Sequence, residues 1–153
     1  GRIAFASFKR LVQKFPDTLY KEDAIKRMKF LRNVLAENEA HVARYYMRRK
    51  AYVASLNRSK VIISQYHGTP AIEEALALMV TIYEILGLQD LSNDSLRVLK
   101  LNYPLSPYLE YQYDPQERGG LPKSIRRKTN TTWNEFNIIK SLKNIVPKGL
   151  IED

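Results

Sequence analysis

The chain has 153 residues, 44% of them hydrophobic, and is therefore long enough to bury the core of one domain. Its 25 basic and 16 acidic residues give a net charge of +9, which favours acidic protein surfaces, anionic lipid head groups or nucleic acid as partners. The lack of cysteine excludes disulfides and thiolate metal sites, and no apolar run approaches the roughly 18–20 residues that cross a bilayer.

The first predicted helix runs to about Lys14 and is followed by Pro16. Its apolar residues recur every three to four positions: Phe5, Phe8, Val12 and Phe15. Because the chain opens inside this pattern without a cap, we expect a fragment whose first repeats, and any targeting segment, lie upstream. Thr18 is a candidate N-cap for the next helix.

A long second helix is predicted from about Leu19 to Arg49, because neither Gly nor Pro interrupts this stretch. Its apolar stripe comprises Ala24, Met28, Leu31, Leu35, Val42 and Tyr46. A third helix is predicted from about Ala51 to Gln65, with apolar Tyr52, Leu56, Ile62 and Ile63. Gly68 then supplies the left-handed conformation that commonly ends a helix.

Thr69-Pro70 predicts the start of a fourth helix, because a hydroxyl cap and an early proline both suit a helix N-terminus. Nearly every face of this helix is apolar, which predicts that it lies between neighbouring helices: Leu76, Ala77, Leu78, Met79, Val80, Ile82, Tyr83 and Ile85. The helix ends at Gly87. A fifth helix follows from about Asp90 to Asn102, with apolar Leu96, Val98 and Leu99.

A four-residue phrase recurs at Phe15–Thr18, Tyr66–Thr69 and Tyr103–Ser106, each copy beginning with an aromatic residue and ending with a hydroxyl residue. Such repeated helix-stop, helix-start punctuation is typical of stacked helical hairpins. The second and third copies are separated by close to the roughly 34-residue tetratricopeptide period. We therefore predict an all-α fold, a right-handed superhelical stack of tetratricopeptide-like hairpins over residues 1–106.

The composition changes after residue 106. Scattered proline and glycine predict a loop or linker over residues 107–131. Thr132 and Glu135 then have the spacing of a capping box, and apolar residues follow at helical intervals. We predict an amphipathic C-terminal helix over residues 132–147, which either covers an exposed end of the stack or docks onto a partner.

No set of residues indicates catalysis. Of the only two histidines, His41 lies inside a helix without a neighbouring Ser and Asp, and His67 lies at a turn, in the position that the other copies of the phrase give to proline. Gly119-Gly120 lacks the strand and Lys that a phosphate loop needs. Glu73 and Glu74 fall at a helix start, where compensation of the helix dipole explains them. We predict a non-enzymatic protein without a cofactor or a bound metal.

Partner-binding candidates cluster around the second and third helices. Arg48 and Arg49 either complement the dipole at the end of the second helix or contact a partner. Arg58 lies mid-helix beside the apolar stripe, flanked by Asn57 and Tyr52, and its guanidinium offers a forked donor pair to a partner carboxylate. Tyr52 is also a candidate for packing the helix pair.

Several segments resemble the BamD family of tetratricopeptide lipoproteins, over about residues 3–106. They are Asp23-Ala24-Ile25-Lys26-Arg27, Phe30-Leu31-Arg32-Asn33-Val34-Leu35-Ala36, Val42-Ala43-Arg44-Tyr45-Tyr46, Arg49-Lys50-Ala51-Tyr52-Val53-Ala54, Asn57-Arg58, Glu74-Ala75-Leu76-Ala77-Leu78-Met79 and Tyr83-Glu84-Ile85-Leu86-Gly87-Leu88. The resemblance implies a scaffold of the β-barrel assembly (BAM) complex, held at the periplasmic face of the bacterial outer membrane by an N-terminal lipid anchor outside this chain.

The resemblance also implies partners. The family's C-terminal repeats bind the periplasmic POTRA domains of the barrel protein BamA, contact other BAM lipoproteins and engage unfolded outer-membrane proteins. The family's Asn-Arg pair falls on Asn57-Arg58, and its arginine belongs to the BamA interface. The chain departs from the family at His67-Gly68, where a proline is usual, and from about Tyr111 onward.

Two other functions are compatible with the residues alone. A cytosolic helical-repeat adaptor would lack an upstream signal peptide and lipidation cysteine. An RNA-binding helical repeat, suggested by the charge, would bind nucleic acid with an affinity that falls steeply with salt. The resemblance predicts no nucleic acid partner.

Overall fold

The computed structural model describes residues 1–122, apart from the side chain of Arg118. Its helices are α1 (Arg2–Lys14), α2 (Lys21–Arg48), α3 (Tyr52–Gln65), α4 (Ala71–Ile85) and α5 (Gln89–Asn102), followed by short 3-10 turns at Pro107–Leu109 and Arg118–Gly120. No strand occurs within residues 1–122, and the predicted all-α, tetratricopeptide-like fold is confirmed. The helix predicted over residues 132–147 lies outside the described part of the chain.

Each helix packs against the next one in the chain, and α2 also contacts α4. Because α4 contacts α2, α3 and α5, it lies at the centre of the stack. All eight residues from Ala71 to Leu78 are buried, as are Ile82 and Tyr83, which confirms the prediction that α4 lies between other helices.

The interior face of α2 is made mainly of alanine. Ala36, Ala40 and Ala43 are fully buried, and Met47 continues the same face. Small side chains allow neighbouring helices to approach closely, so α2 can contact both α3 and α4. The predicted apolar stripe of α2 is buried or half-buried throughout, but the alanines lie deeper. On α5, Leu99 is buried whereas Val98 is exposed.

The three copies of the repeated phrase make the same backbone hydrogen bonds. In each copy the N–H of the last residue donates to the carbonyl of the aromatic residue, at 3.4 Å for Thr18, 3.3 Å for Thr69 and 3.0 Å for Ser106. The carbonyl of that last residue then accepts from the N–H three residues later. The first two copies lead into α2 and α4, whereas the third leads only into the single turn at Pro107–Leu109.

The predicted capping role of the two threonine hydroxyls is wrong. Thr69 Oγ1 donates to the carbonyl of Tyr66 at 2.8 Å, and Pro70, not Thr69, precedes the first residue of α4. Thr18 Oγ1 accepts from the N–H of Tyr20 at 3.4 Å, before α2 begins. Both hydroxyls therefore act within the turn between helices, because Thr18 lies three residues and Thr69 two residues ahead of the first helical residue.

Residues 107–122 are irregular and pack against the helices. The Tyr108 and Tyr113 rings stack with their centroids 6.1 Å apart, and Tyr108 Oη donates to the Gly119 carbonyl at 2.6 Å. Tyr113 and Leu121 are buried. The predicted division into residues 1–106, 107–131 and 132–147 remains a prediction.

Candidate protein-binding surface

The turn between α2 and α3 carries three exposed cations, Arg48, Arg49 and Lys50. The N–H of Lys50 donates to Met47 O and that of Ala51 to Tyr46 O, each at 3.0 Å, in the pattern that ends helices with a left-handed residue. Lys50 occupies the left-handed position with φ of 59°, where glycine is the usual residue. The turn thereby directs its cations into solvent beside the negative end of the α2 dipole.

Two aromatic residues, Tyr45 and Tyr52, flank this turn in the sequence. The guanidinium of Arg49 lies 5.4 Å from the Tyr45 ring centroid, a cation–π distance. Tyr52 is half-buried and packs against the core cluster that contains Met47 and Leu56. Most of the Tyr52 ring therefore serves the contact between α2 and α3, and its remaining surface faces outward beside the turn.

Arg58 lies on α3 and reaches back to α2. Its Nη1 donates to Glu39 Oε2 at 3.1 Å, and Glu39 Oε1 lies 3.7 Å from Arg2 Nη2 of α1. The Arg58 side chain nevertheless stays 44% exposed, and Asn57 beside it is exposed as well. Within the described residues Nη1 is the only side-chain nitrogen of Arg58 that donates a hydrogen bond, so its other guanidinium nitrogens keep their donors.

The predicted binding residues form two exposed spots on one hairpin. Arg48 and Arg49 lie at the turn, beside Tyr52 at the start of α3. Arg58 is six residues further along α3, about 9 Å along the helix axis. No hydrogen bond or ion pair joins the two spots in the described part of the chain, so a partner that contacts both has to span the hairpin.

A buried charge network, which the sequence analysis missed, lies behind this surface. Arg44 is almost fully buried in α2, and its Nη1 donates to both carboxylate oxygens of Glu74 at 2.7 Å. Its Nη2 donates to Glu37 Oε1 at 2.7 Å, and Tyr113 Oη donates to Glu74 Oε1 at 3.1 Å. The network ties α2, α4 and the segment after α5 together.

Burial disfavours the charged forms of the groups in this network, and their ion-pair partners oppose that effect. Burial by itself would lower the pKa of Arg44, but the Glu74 and Glu37 carboxylates outweigh that effect, so its pKa rises. Burial raises the pKa of Glu74, and the Arg44 guanidinium opposes that rise. The pKa of Tyr113 is raised by burial and by the Glu74 carboxylate, so Tyr113 remains a neutral donor at pH 7.

Glu73 is buried beside Glu74 but forms no ion pair with any residue in the described part of the chain. Its Oε1 and the hydroxyl of Ser106 are both buried, and neither has a hydrogen-bond partner within 3.5 Å among residues 1–122. Burial raises the pKa of Glu73 to about 7, although the neighbouring Ser106 hydroxyl moderates the rise. Glu73 and Glu74 lie in the first turn of α4, as the helix-dipole explanation requires, but that explanation did not predict their burial. The sequence did contain a signal for this burial: nearly every face of α4 is apolar, so a carboxylate on this helix is expected in the interior.

Residues 1–122 contain no group of three or more His, Asp or Glu side chains arranged to hold a metal ion. None of the helices in this part of the chain combines the length and the apolar content of a membrane-crossing segment. The surface at the α2–α3 hairpin thus presents exposed cations on a helical scaffold, an arrangement suited to binding an acidic protein surface.

Comparison with known proteins shows which protein family this chain is similar to. Residues 1–99 match the YfiO family, described as an outer membrane lipoprotein. The chain is 44% identical over 117 residues to the outer membrane protein assembly factor BamD of Neisseria meningitidis serogroup A, covering 76% of this chain and 44% of that protein. It is 41% identical over 101 residues to BamD of Haemophilus influenzae, covering 66% of this chain and 38% of the relative.

A third relative, BamD of Xylella fastidiosa strain Temecula1, is 33% identical over 124 residues, covering 81% of this chain and 41% of the relative. The chain therefore spans less than half the length of the curated relatives that it matches.

Proposed function

Because this chain belongs to the YfiO family of outer membrane lipoproteins, as its resemblance to BamD predicted, we propose that it is a non-catalytic scaffold of outer membrane protein assembly. The name of its relatives, outer membrane protein assembly factor, supports the assembly role. The description of the family supports the periplasmic face of the outer membrane over the cytosolic alternative. In the whole protein a lipid anchor upstream of this chain would hold the stack there.

The proposed partner is the set of periplasmic POTRA domains of a BamA-like barrel protein. The observation that supports this partner is the geometry of Arg58, whose guanidinium is held in place by Glu39 yet remains 44% exposed. An arginine that is positioned by one carboxylate and still has free donors can bind a second carboxylate with little further loss of side-chain entropy. Asn57 beside it adds an amide that can donate or accept.

Arg48 and Arg49 are proposed as a second contact for the same partner. Exposed cations raise the rate of encounter with an acidic surface more than they raise the final affinity. Other BAM lipoproteins and unfolded outer membrane proteins are proposed to contact the remaining surface of the stack. The scaffold role also agrees with the buried positions of Arg44, Glu73 and Glu74, which lie in the core and not at an accessible cleft.

Charge reversal at Arg58 tests the proposal. We expect Arg58→Glu to weaken binding of the purified POTRA domains by about 10- to 100-fold, since a hydrogen bond to a charged group contributes about 1.5–3 kcal/mol. The measurement is calorimetric titration of the POTRA domains into the full chain, with circular dichroism to verify the helical fold. Arg97→Glu, a reversal at an exposed arginine of α5, is the matched control and should leave the affinity within about twofold.

The internal partner of Arg58 provides a second control. The pair of substitutions Glu39→Arg and Arg58→Glu reverses the ion pair while keeping opposite charges at the two positions. If Arg58 acts directly on the partner, this double variant folds normally and still binds weakly. Recovery of full affinity in the double variant would show that Arg58 acts only through Glu39, and unchanged affinity of Arg58→Glu would remove Arg58 from the interface.

A further inference from the structure

A groove lies between α4, α5 and the irregular segment that follows α5. Its volume is about 190 Å³, and it is lined by one side of α4 between Ala77 and Glu84, by Leu96 and Leu99 of α5, and by residues 108–113. We call it the α4–α5 groove. None of its described lining residues belongs to α2 or α3, so the groove is separate from the proposed contacts at the α2–α3 hairpin.

The groove is small and can be reached from solvent. Sites for small molecules usually have volumes of about 300–1,000 Å³, which is larger than this groove. Three of its lining residues are exposed: Glu84, Glu110 and Tyr111. A side chain of another protein can therefore enter from outside, whereas a whole cofactor has too little room.

The charge of the groove is opposite to that of the chain. Glu84 and Glu110 are the only charged residues among its described lining residues, although the chain has a net charge of +9. Neither carboxylate forms an ion pair with a side chain that the structure describes. Glu84 also lies in the last turn of α4, which contains no basic residue, so the negative end of the helix dipole adds to its charge. The groove therefore favours a cation.

The remaining walls suit the side chain of arginine. The negative face of an aromatic ring attracts a cation, most often that of arginine, and three tyrosines line the groove: Tyr108, Tyr111 and Tyr113. Val80 and Leu96 offer apolar surface to the methylene stem. Arginine also presents five donors in a planar fork, which can serve two carboxylates, whereas lysine is a compact point charge.

We propose that the α4–α5 groove binds an arginine side chain of a partner protein. The guanidinium donates to the carboxylates of Glu84 and Glu110, and the stem packs on Val80 and Leu96. One wall, residues 108–113, lies beyond residues 1–99, which match the family, so this site is built partly by a segment outside the family match. Because the groove and the α2–α3 hairpin lie on different helices, one chain can hold two partners at once.

Titration of a short peptide into the full chain tests the proposal. The probe is acetyl-Ala-Arg-Ala-amide, and its control is the same peptide with citrulline, which has the shape of arginine without its charge. We expect the arginine peptide to shift the NMR amide signals of residues 77–84 and 108–113 and to bind at least about tenfold more tightly than the citrulline peptide. Equal affinities, or shifts confined to other parts of the chain, would overturn the proposal.

Two double variants locate the binding. Glu84→Gln/Glu110→Gln removes both carboxylate charges while keeping the size of the side chains, and we expect it to weaken binding of the arginine peptide at least about tenfold. The matched control, Glu22→Gln/Asp94→Asn, removes two exposed charges outside the groove and should leave the affinity within about twofold. All four residues are exposed, so both variants should keep the helical fold, which circular dichroism verifies. The same loss of affinity in both variants would reject the groove as the binding site.

A third variant distinguishes an external arginine from those of the chain itself, which follow the groove residues in the sequence. Arg118→Gln/Arg126→Gln/Arg127→Gln removes the three nearest arginines on that side. Without peptide, we expect the NMR amide signals of Thr81 and Leu96 to stay where they are in the unmodified chain. Shifts of these signals, opposite in direction to those that the arginine peptide causes, would assign the groove to the chain's own arginines and overturn the proposal of a partner.

Discussion

At the scale of single residues, the feature with the largest consequence is Arg44. It is buried in α2 and shared between Glu74 of α4 and Glu37 of its own helix. A buried ion pair contributes little net stability compared with apolar packing, but the loss of one partner leaves a charge without compensation in the interior. The pair therefore makes the contact between α2 and α4 specific, because only the native register brings the two charges together.

We expect Arg44→Met to lower the free energy of unfolding by about 3–5 kcal/mol, because Glu74 is left buried without a cation. The double variant Arg44→Met/Glu74→Leu should recover most of this loss, since both charges are then gone. Arg27→Met is the control. It breaks an exposed pair with Asp23 at the same 2.7 Å and should cost less than about 1 kcal/mol. Urea unfolding measures the stability of the three variants. An equal loss of stability in Arg44→Met and Arg27→Met would contradict the proposed importance of the buried network.

Glu73 predicts a pH dependence of stability. Its pKa is raised from 4.5 to about 7 by burial, so between these values the folded chain keeps a proton that the unfolded chain has lost. Stability then falls as pH rises from about 4.5 to about 7, and the accumulated cost above pH 7 is on the order of 2–3 kcal/mol. Below about pH 4.5 the carboxyl is protonated in both states and contributes no cost.

The variant Glu73→Gln removes this titration while keeping the size of the side chain. We expect it to be more stable than the unmodified chain at pH 7.5 by about 1–3 kcal/mol, with the difference shrinking toward zero at pH 4.5. Urea unfolding at pH 4.5, 6 and 7.5 gives the comparison. A difference that stays constant over this range would show that Glu73 titrates at its ordinary pKa in the folded chain.

At the scale of elements, helix positions followed from local signals and tertiary pairings did not. Periodicity, Gly68 and Gly87 predicted all five helices with ends within about two residues of those observed, because these signals act over one or two turns. The pairing of Arg44 with Glu74 joins residues 30 positions apart, and no local pattern contains that information. The exposed positions of Asn57 and Arg58 agree with the predicted surface, whose role in binding remains a prediction.

Two glycines with the same backbone conformation test how residues 107–122 are attached. Gly87 and Gly120 have φ of 71° and 70°, but a Cβ at Gly87 would meet open space, whereas one at Gly120 would overlap the Tyr113 ring. Gly87→Ala should lower the free energy of unfolding by about 1–2 kcal/mol, solely because alanine is strained in the left-handed conformation.

Gly120→Ala should lower the free energy of unfolding by about 1–3 kcal/mol more than Gly87→Ala does, because Tyr113 has to move away from Glu74. Thermal unfolding measures both variants, and near-ultraviolet circular dichroism should change only for Gly120→Ala. The same loss of stability in both would mean that Tyr113 does not anchor this segment to α4.

At the scale of the whole molecule, the stack separates the residues that hold the fold together from those that we propose bind a partner. Buried charges and alanine packing hold α2 and α4 in the centre, while the cations of the α2–α3 hairpin remain exposed on the outside. A surface that rests on rigid, packed helices is preorganised, so less free energy is lost when a partner orders it. This division suits the proposed scaffold, because the exposed cations that we propose as binding residues can face a partner without being buried in the core.

Site-specific photo-cross-linking tests the location of that surface most directly. A photo-reactive residue is placed at Asn57, on α3 beside Arg58, or at Asn93, an exposed residue of α5, and each full chain is irradiated with the purified POTRA domains. Our account predicts a cross-linked complex from Asn57 and little or none from Asn93. Cross-linking from Asn93 with none from Asn57 would contradict it, because the partner would then bind α5 and not the α2–α3 hairpin.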